Sequence, residues 1–427
     1  MKATLVIENI TNLATMSGSD GPRKNKAQKD IGLIKNGVIA ISKDKIIYVG
    51  EGKLPESIPT DEGTVFIDAT GKLVTPGLID PHTHLVHGGS RENEFSMKLE
   101  GKSYLEILSS GGGIHSTAKA TKEATFEELY DKAYKSLNIM LEFGVTTVEA
   151  KSGYGIGDFE TELKQIEVAR KLDETHPIDV VPTFMGAHAV PPEYKERSDI
   201  FVDKIVNEMI PYIAQNKLAE FCDVFCEEGV FTIEQSRKIL LSAKSHGLIP
   251  KIHADEIVSI GGAELASEIE CISAEHLISA SKNGIKKMGE KNVIAVLLPG
   301  TSFNLQEGKV ADARYMIDND VAVAIATDYN PGSCPSENLQ LMMSFASITL
   351  KMTPEEVLTA STINAACAIK RESSIGSIEV GKIADIAIFD VPNIAYMVYH
   401  FGVNHTDSVI KKGKIVYKKN GRALNVR

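Results

Sequence analysis

Cysteine is scarce in this chain: five in 427 residues, an odd number, each in or beside an apolar run. That usage excludes a disulfide framework and fits a reducing compartment, so the expected location is cytoplasmic. Long apolar runs are missing too. No uncharged stretch approaches membrane-spanning length. The first short apolar run is broken by Glu8 and Asn9, so neither a membrane span nor a signal peptide is expected. Basic charge is in deficit. With 46 Lys and Arg against 57 Asp and Glu the net charge is −11, which argues against nucleic acid and anionic membrane surfaces as partners. A small anionic substrate stays open, because one local Arg outweighs a diffuse field. No Gly-x-Ser-x-Gly elbow, P-loop or dinucleotide fingerprint occurs at a strand-to-helix turn.

What is present is organised around Leu73-Val-Thr-Pro-Gly-Leu-Ile-Asp-Pro-His82-Thr83-His84, an apolar run closing on two histidines. Alternate side chains of an extended strand share a face, so His82 and His84 can grip one ion. Alone, such a pair is more often two ordinary surface histidines. Its distant partners change the weighting. His253 closes the run from Gly247, His276 the run from Cys271, and Asp328 the run from Val321, a segment of the kind buried on both faces of a parallel sheet. Scattered histidines would not all fall at the ends of apolar runs. Three imidazoles and one carboxylate suit Zn(II), and the same donors accept Fe(II) or Mn(II).

Alternating, β-branched segments up to about Thr70 predict a small antiparallel sheet. Ser17 to Asp30 is polar, with Arg23-Lys24-Asn25-Lys26 at its centre, and reads as a mobile, solvated loop. From Lys72 apolar strands alternate with helical spacing. Strand ends are expected near His84, Glu149, His188, Cys226, His253, His276, Leu298 and Asp328. Eight such repeats over roughly 300 residues predict a (β/α)8 TIM-like barrel. After about Glu379 the alternation returns, with a hairpin around Gly413. The expected α/β fold is therefore a barrel over 71–378 with a small β-sandwich made by both ends, 1–70 and 379–427.

Pro76-Gly-Leu-Ile-Asp-Pro-His-Thr-His84, then His253-Ala-Asp-Glu256, then Asp328 closing a late strand, together resemble the amidohydrolase superfamily. Gly88-Gly89-Ser90-Arg91-Glu92-Asn93-Glu94-Phe95, Gly111-Gly112-Gly113-Ile114, Lys151-Ser152-Gly153-Tyr154-Gly155 and Gly186-Ala187-His188 resemble its branch that opens imidazolone rings in histidine degradation. The resemblance runs nearly end to end and is weakest from Asn12 to Asp30. It implies metal ligands His82, His84, His253 and Asp328, with His276 outside the ligand set. Binuclear members carry a bridging carboxylated Lys, whereas Cys226-Glu227-Glu228 closes the fourth strand here, so one Zn(2+) or Fe(2+/3+) ion per chain is expected.

Glu256 sits three residues past His253, where a carboxylate can take a proton from metal-polarised water and hand it to a leaving nitrogen. The bland alternative is a helix N-terminal carboxylate stabilised by the dipole. His276 can serve as a ligand or hydrogen-bond the water or the substrate oxygen. Arg91, just beyond the first strand, offers a planar fork for a carboxylate; an ion pair with Glu92 or Glu94 is the plainer reading. The resemblance implies that Arg91 holds a propionate, helped by Tyr154 and His188. It also turns the loop of Asn330, Gly332 and Ser333 towards the substrate. Tyr104 can line that pocket or simply pack, and Gly111–Gly113 can be a cover or a turn. His87, His115, His176, His246, His400 and His405 are taken as ordinary histidines, and Cys222 and Cys226 as core thiols.

The implied reaction is metal-dependent hydrolysis of 4-imidazolone-5-propanoate to N-formimidoyl-L-glutamate. A deaminase of the same superfamily is the nearest rival, though neutral bases need no carboxylate clamp. A barrel scaffold without catalysis would show losses among His82, His84, His253, Glu256 and Asp328, and all five are present. Nothing in the sequence excludes a homodimer.

Overall fold

The computed structural model describes residues 1–19, 21–102, 106, 112–306 and 308–419. The strands run in chain order as β1 (Leu5–Ala14), β2 (Leu33–Ser42), β3 (Lys45–Glu51), β4 (Val65–Asp68) and β5 (Leu73–Pro76). Next come β6 (Leu78–Asp80), β7 (Val145–Lys151), β8 (Asp179–Ala187), β9 (Phe221–Cys226), β10 (Ile249–Ala254), β11 (Ser273–His276), β12 (Ile294–Leu297) and β13 (Val323–Ile325). The last three are β14 (Ile386–Phe389), β15 (Thr406–Lys411) and β16 (Lys414–Lys418).

β6 to β13 lie side by side in chain order, all parallel. Past the ends of β6 and β13 the backbones close the ring. Asp328 N–H donates to His82 O at 3.0 Å, and His84 N–H to Tyr329 O at 2.9 Å. Thr327 N–H and Oγ1 bind the Asp80 carboxylate at 3.1 and 2.6 Å, fastening first strand to last. Burial lifts the Asp80 carboxyl to about 7 despite those bonds. The expected (β/α)8 barrel is thus present, with its mouth stitched together where the metal ligands were expected.

Helices cover the outer face. In Phe126–Glu142 the Thr125 hydroxyl accepts from Glu128 N–H while Glu128 answers Thr125 N–H, a reciprocal cap on two orphan amides. Leu129, Ala133, Leu137 and Met140 recur on one face and are buried in the core shared with β7 and β8. Among the described residues no helix is long and apolar enough to cross a membrane.

Both chain ends build the second sheet, in the order β16-β15-β14-β5-β1-β2-β3 with β4 beside β1. Leu5, Ile7, Ile39, Ile386, Ile388 and Ile410 share one core there. Two expectations need correction. The run Leu73–His84 is not one barrel strand, because β5 pairs with β1 and β14, and the end sheet therefore takes chain beyond residue 70. The hand-over to the barrel is at Gly77, where a Cβ would come 2.3 Å from the Thr146 side chain. The second is the solvated loop expected at Ser17–Asp30: between residues 21 and 30 the chain is anchored to the barrel at two points, with Lys26, Lys29 and Asp30 exposed between and beyond them. Arg23 is buried, its N–H bound by Asn364 Oδ1, and Gln28 pairs its amide with both Val323 C=O and N–H. The Gln28 side chain thus satisfies the buried backbone of Val323 in the short strand β13 in place of water.

Candidate metal centre and active site

Every candidate ligand emerges at the C-terminal mouth of the barrel, the usual place for chemistry in this architecture. Two overlapping groups have ligand atoms within 4.8 Å of one another: His82, His84 and Asp328, and His82, His253 and His276. His82 is common to both. Asp328 Oδ1 lies 3.3 Å from His82 Nε2 and 3.7 Å from His84 Nε2. Its other oxygen accepts from Thr301 Oγ1 at 2.6 Å and Ser333 Oγ at 3.3 Å, which fixes the carboxylate's direction. Asp328 and His276 hold left-handed backbone angles, φ 54° and 68°, uncommon for residues with a Cβ and concentrated at functional sites.

The donor set fits a cation. Among the described residues the Nε2 atoms of His82 and His253 are buried without a hydrogen-bond partner, a costly state unless an ion occupies the gap. Burial pushes the His82 imidazole down, but the carboxylates of Glu275 and Asp328 outweigh it and lift it to about 9. The same two carboxylates would favour a cation beside His82. His84 is held well below its ordinary value by burial and the neighbouring His188. Burial likewise brings His188 and His276 to about 3, so both rings stay neutral.

Glu256 reaches the site from the turn after β10. Asp255, at φ 50°, turns the chain sharply and caps the next helix, accepting from the N–H groups of Ile260, Gly261, Gly262 and Ala263. Glu227 accepts from Ile257 and Val258 N–H and pins the far side of the same turn. Glu256 is thereby held with Oε1 3.4 Å from His276 Nδ1.

The other side of the mouth carries the anion-binding candidates. His188 stacks on His84 with ring centres 4.8 Å apart, and its Nδ1–H donates to Gly153 O. Tyr154 lies 5.8 Å from the His84 ring and 5.5 Å from His188. Its phenol is pushed up by burial and by Asp328, and eased down by the Arg91 charge. Arg91 is indeed paired with Glu94, as the plainer reading held: Nε and Nη2 donate to Glu94 Oε2 at 2.9 and 2.7 Å. Its Nη1 lies against Gly332. Asn330 is occupied by its own loop, accepting from Gly332 and Ser333 N–H and donating to Asp328 O and Ser333 Oγ. Its side chain shapes the loop, leaving Gly332 and Ser333 nearer the opening. A cavity of about 640 Å³ lined by His87, Arg91, Phe95, Lys132, Tyr329 and Gly332 opens beside this cluster. Tyr104 and Gly111 lie outside the described residues. Gly113 N–H is held by Glu94 Oε1, so this end of the glycine run is tied to the Arg91 ion pair.

A model of the amidohydrolase family matches residues 73–416. The imidazolonepropionase of Alkaliphilus oremlandii (strain OhILAs) is 59% identical over 419 residues, covering 98% of this chain and 99% of that protein. The imidazolonepropionase of Fusobacterium nucleatum subsp. nucleatum is 56% identical over 420 residues, covering 98% and 100%. The chain belongs to the imidazolonepropionase family of amidohydrolases. Amidohydrolases are metal-dependent, and this member carries His and Asp groups that can bind a metal. Atrazine chlorohydrolase from Arthrobacter aurescens TC1, in a crystal structure complexed with zinc, aligns with a TM-score of 0.67 at 16% identity. That alignment covers 97% of this chain and 95% of that one, and shows the shared fold.

Sequence reasoning missed one layer of this family member's site. Below the histidines the barrel interior holds Glu149, Lys151, Asp223, Lys251 and Glu275, all buried. The signal was present: each sits in an apolar strand at the inward-facing parity, with Lys251 two residues before His253. Asp223, His253 and Glu275 even form a third group of convergent ligand atoms.

Proposed function

We infer that the chain hydrolyses 4-imidazolone-5-propanoate to N-formimidoyl-L-glutamate, using one divalent ion, zinc or iron, held by His82, His84, His253 and Asp328. The observation that carries this reading is continuity: Arg91 Nη1 lies against Gly332, and the next residue, Ser333, donates through Oγ to the ligand candidate Asp328 at 3.3 Å. A carboxylate anchor and a metal-type cluster thus share one mouth, which a ring bearing a propionate requires and a neutral nucleobase does not.

A bound divalent cation supplies Lewis acidity here, making water acidic and a ring carbonyl electrophilic. The chain's own residues do the rest. Arg91 takes the propionate on the guanidinium edge that Glu94 leaves open, and Tyr154 with His188 walls the ring. Glu256 Oε1 accepts the proton of the attacking water as the new C–O bond forms at the ring carbonyl. It returns that proton to the ring nitrogen as the C–N bond breaks, so the ring opens with no net proton change on the enzyme. His276, neutral and with Nδ1 3.4 Å from Glu256 Oε1, has one N–H, which it gives to the substrate oxygen. Five free, buried thiols suit a reducing cytoplasm.

The test is turnover by metal-loaded protein, with the product identified by mass spectrometry and the metal counted by elemental analysis. Formation of N-formimidoyl-L-glutamate with about one equivalent bound is expected. Inertness towards this substrate combined with ammonia release from an amino-substituted base would move the chain to the deaminases.

A further inference from the structure

Five acidic and basic side chains fill the barrel beneath the histidines, where layers of branched apolar residues normally pack. They form a closed arrangement. Lys151 Nζ lies 3.1 Å from Glu149, 2.7 Å from Asp223 and 3.0 Å from Glu275. Lys251 Nζ lies 2.6 Å from Glu149 and 3.2 Å from Glu275. Glu149, Lys151, Glu275 and Lys251 thus alternate in sign around a ring, with Asp223 attached through Lys151. All five are at most 1% exposed. Burying two lysines is expensive unless each charge is answered, and here each has at least two carboxylates.

The upper edge of this network meets the candidate ligands. Glu275 Oε2 contacts His82 Nδ1 as well as Lys151. Asp223 Oδ1 accepts from His253 Nδ1 at 3.1 Å and from its backbone N–H at 3.2 Å, while Oδ2 takes Lys151. In both imidazoles the Nδ1 edge faces a carboxylate, so the other nitrogen, Nε2, is the one turned to the mouth. The Asp223, His253 and Glu275 atoms lie within 4.8 Å of one another, a second set able to hold a metal ion, yet an ammonium already bridges its two carboxylates.

We propose that Lys151, braced by Lys251, is a positioning residue for the metal centre: its ammonium stands in place of a second metal ion between Asp223 and Glu275 and holds these carboxylates against the Nδ1 edges of His253 and His82. The inference rests on the metal-centre reading above. It assigns to a side chain that touches neither metal nor substrate the task of aiming two ligands. It also gives a physical reason for a single ion, since a divalent cation cannot enter a site whose charge and space are taken.

The test uses full-length protein, Zn(II) and a competing chelator. Lys151→Met keeps the stem and removes the charge; outer partners of metal ligands typically carry about 10–100-fold in metal affinity. Wild type should bind one equivalent, and Lys151→Met should bind it about 10–100-fold more weakly while its unfolding stays cooperative. Unchanged affinity in that variant overturns the proposal alone; a wild type that binds no zinc overturns the metal-centre reading with it. Should Lys151→Met not fold, a crystal structure of zinc-loaded wild type decides, with anomalous scattering locating the ions. One ion on the Nε2 atoms of His82 and His253, with Lys151 still between Asp223 and Glu275, supports the proposal. Coordination through either Nδ1, or a second ion between those carboxylates, overturns it.

Discussion

A guanidinium has two edges for a carboxylate, and in Arg91 one is spent on Glu94 through Nε and Nη2. The remaining edge runs along Gly332, where a Cβ would come 2.1 Å from Nη1, so any larger residue would displace the arginine. Removing the clamp by Arg91→Ala should lower kcat/KM by about 10² or more with metal content unchanged, and Arg91→Lys should recover little. An imidazolone lacking the carboxylate is the control. Equal losses on both substrates would make Arg91 a brace for its loop. Glu256→Gln keeps the shape of the turn but removes the proton acceptor, so it should retain metal and lose about 10²–10⁴-fold in rate. Loss of metal instead would enrol Glu256 among the ligands.

Away from the mouth, His176 carries a pH dependence of its own. Burial brings it down to about 4, with Nδ1 accepting from Ile178 N–H and Nε2 facing Asn138 Oδ1. The unfolded chain takes up this proton near the ordinary value of about 6.5, the folded one only near 4. Between those values the unfolded state binds more protons, so stability falls as the pH drops. The melting-temperature advantage of wild type over His176→Gln should therefore shrink as pH is lowered from about 6.5 towards 4. An advantage constant across that window would show that the ring's protonation does not differ between the two states.

Among the helices, Phe126–Glu142 has the cap most open to test. Thr125→Ala removes the acceptor for Glu128 N–H and should cost about 1 kcal/mol, read as a lower urea midpoint at unchanged slope. Thr125 before Glu127 and Glu128 is a local pattern, so a cap of this kind can be read from sequence alone. The barrel strands were legible for a related reason: a parallel strand buried on both faces announces itself as a short, mainly apolar run. Elements whose identity depends on distant partners were harder to read. Leu73–Pro76 looks like the start of a barrel strand until β14, some three hundred residues later, is seen to claim it. Gln28 looks solvated until Val323, 295 positions away, supplies its hydrogen bonds. The ionic ring was missed for the same cause. Lys151 meets Asp223 across 72 positions and Lys251 meets Glu149 across 102, so strand parity marks each charge as inward but does not name the partner that answers it.

In the assembled molecule, the candidate ligands come from both ends of the barrel's chain and its middle, so metal binding and barrel closure should reinforce each other. Removing the ion should abolish turnover and lower the melting temperature by an amount that grows with the metal concentration used as reference. Turnover that survives exhaustive chelation would leave no place for the centre drawn here. The seam itself has a further consequence in time. Thr327 fastens to Asp80 over 247 positions, and Asp328 completes the group begun at His82. At synthesis rates of about 5–20 residues per second, the first histidines leave the ribosome roughly 10–50 s before the carboxylate that joins them. For that interval the nascent chain would carry an unfinished set of candidate ligands, open to whichever cation arrives first, and the last barrel strand would decide whether it is kept.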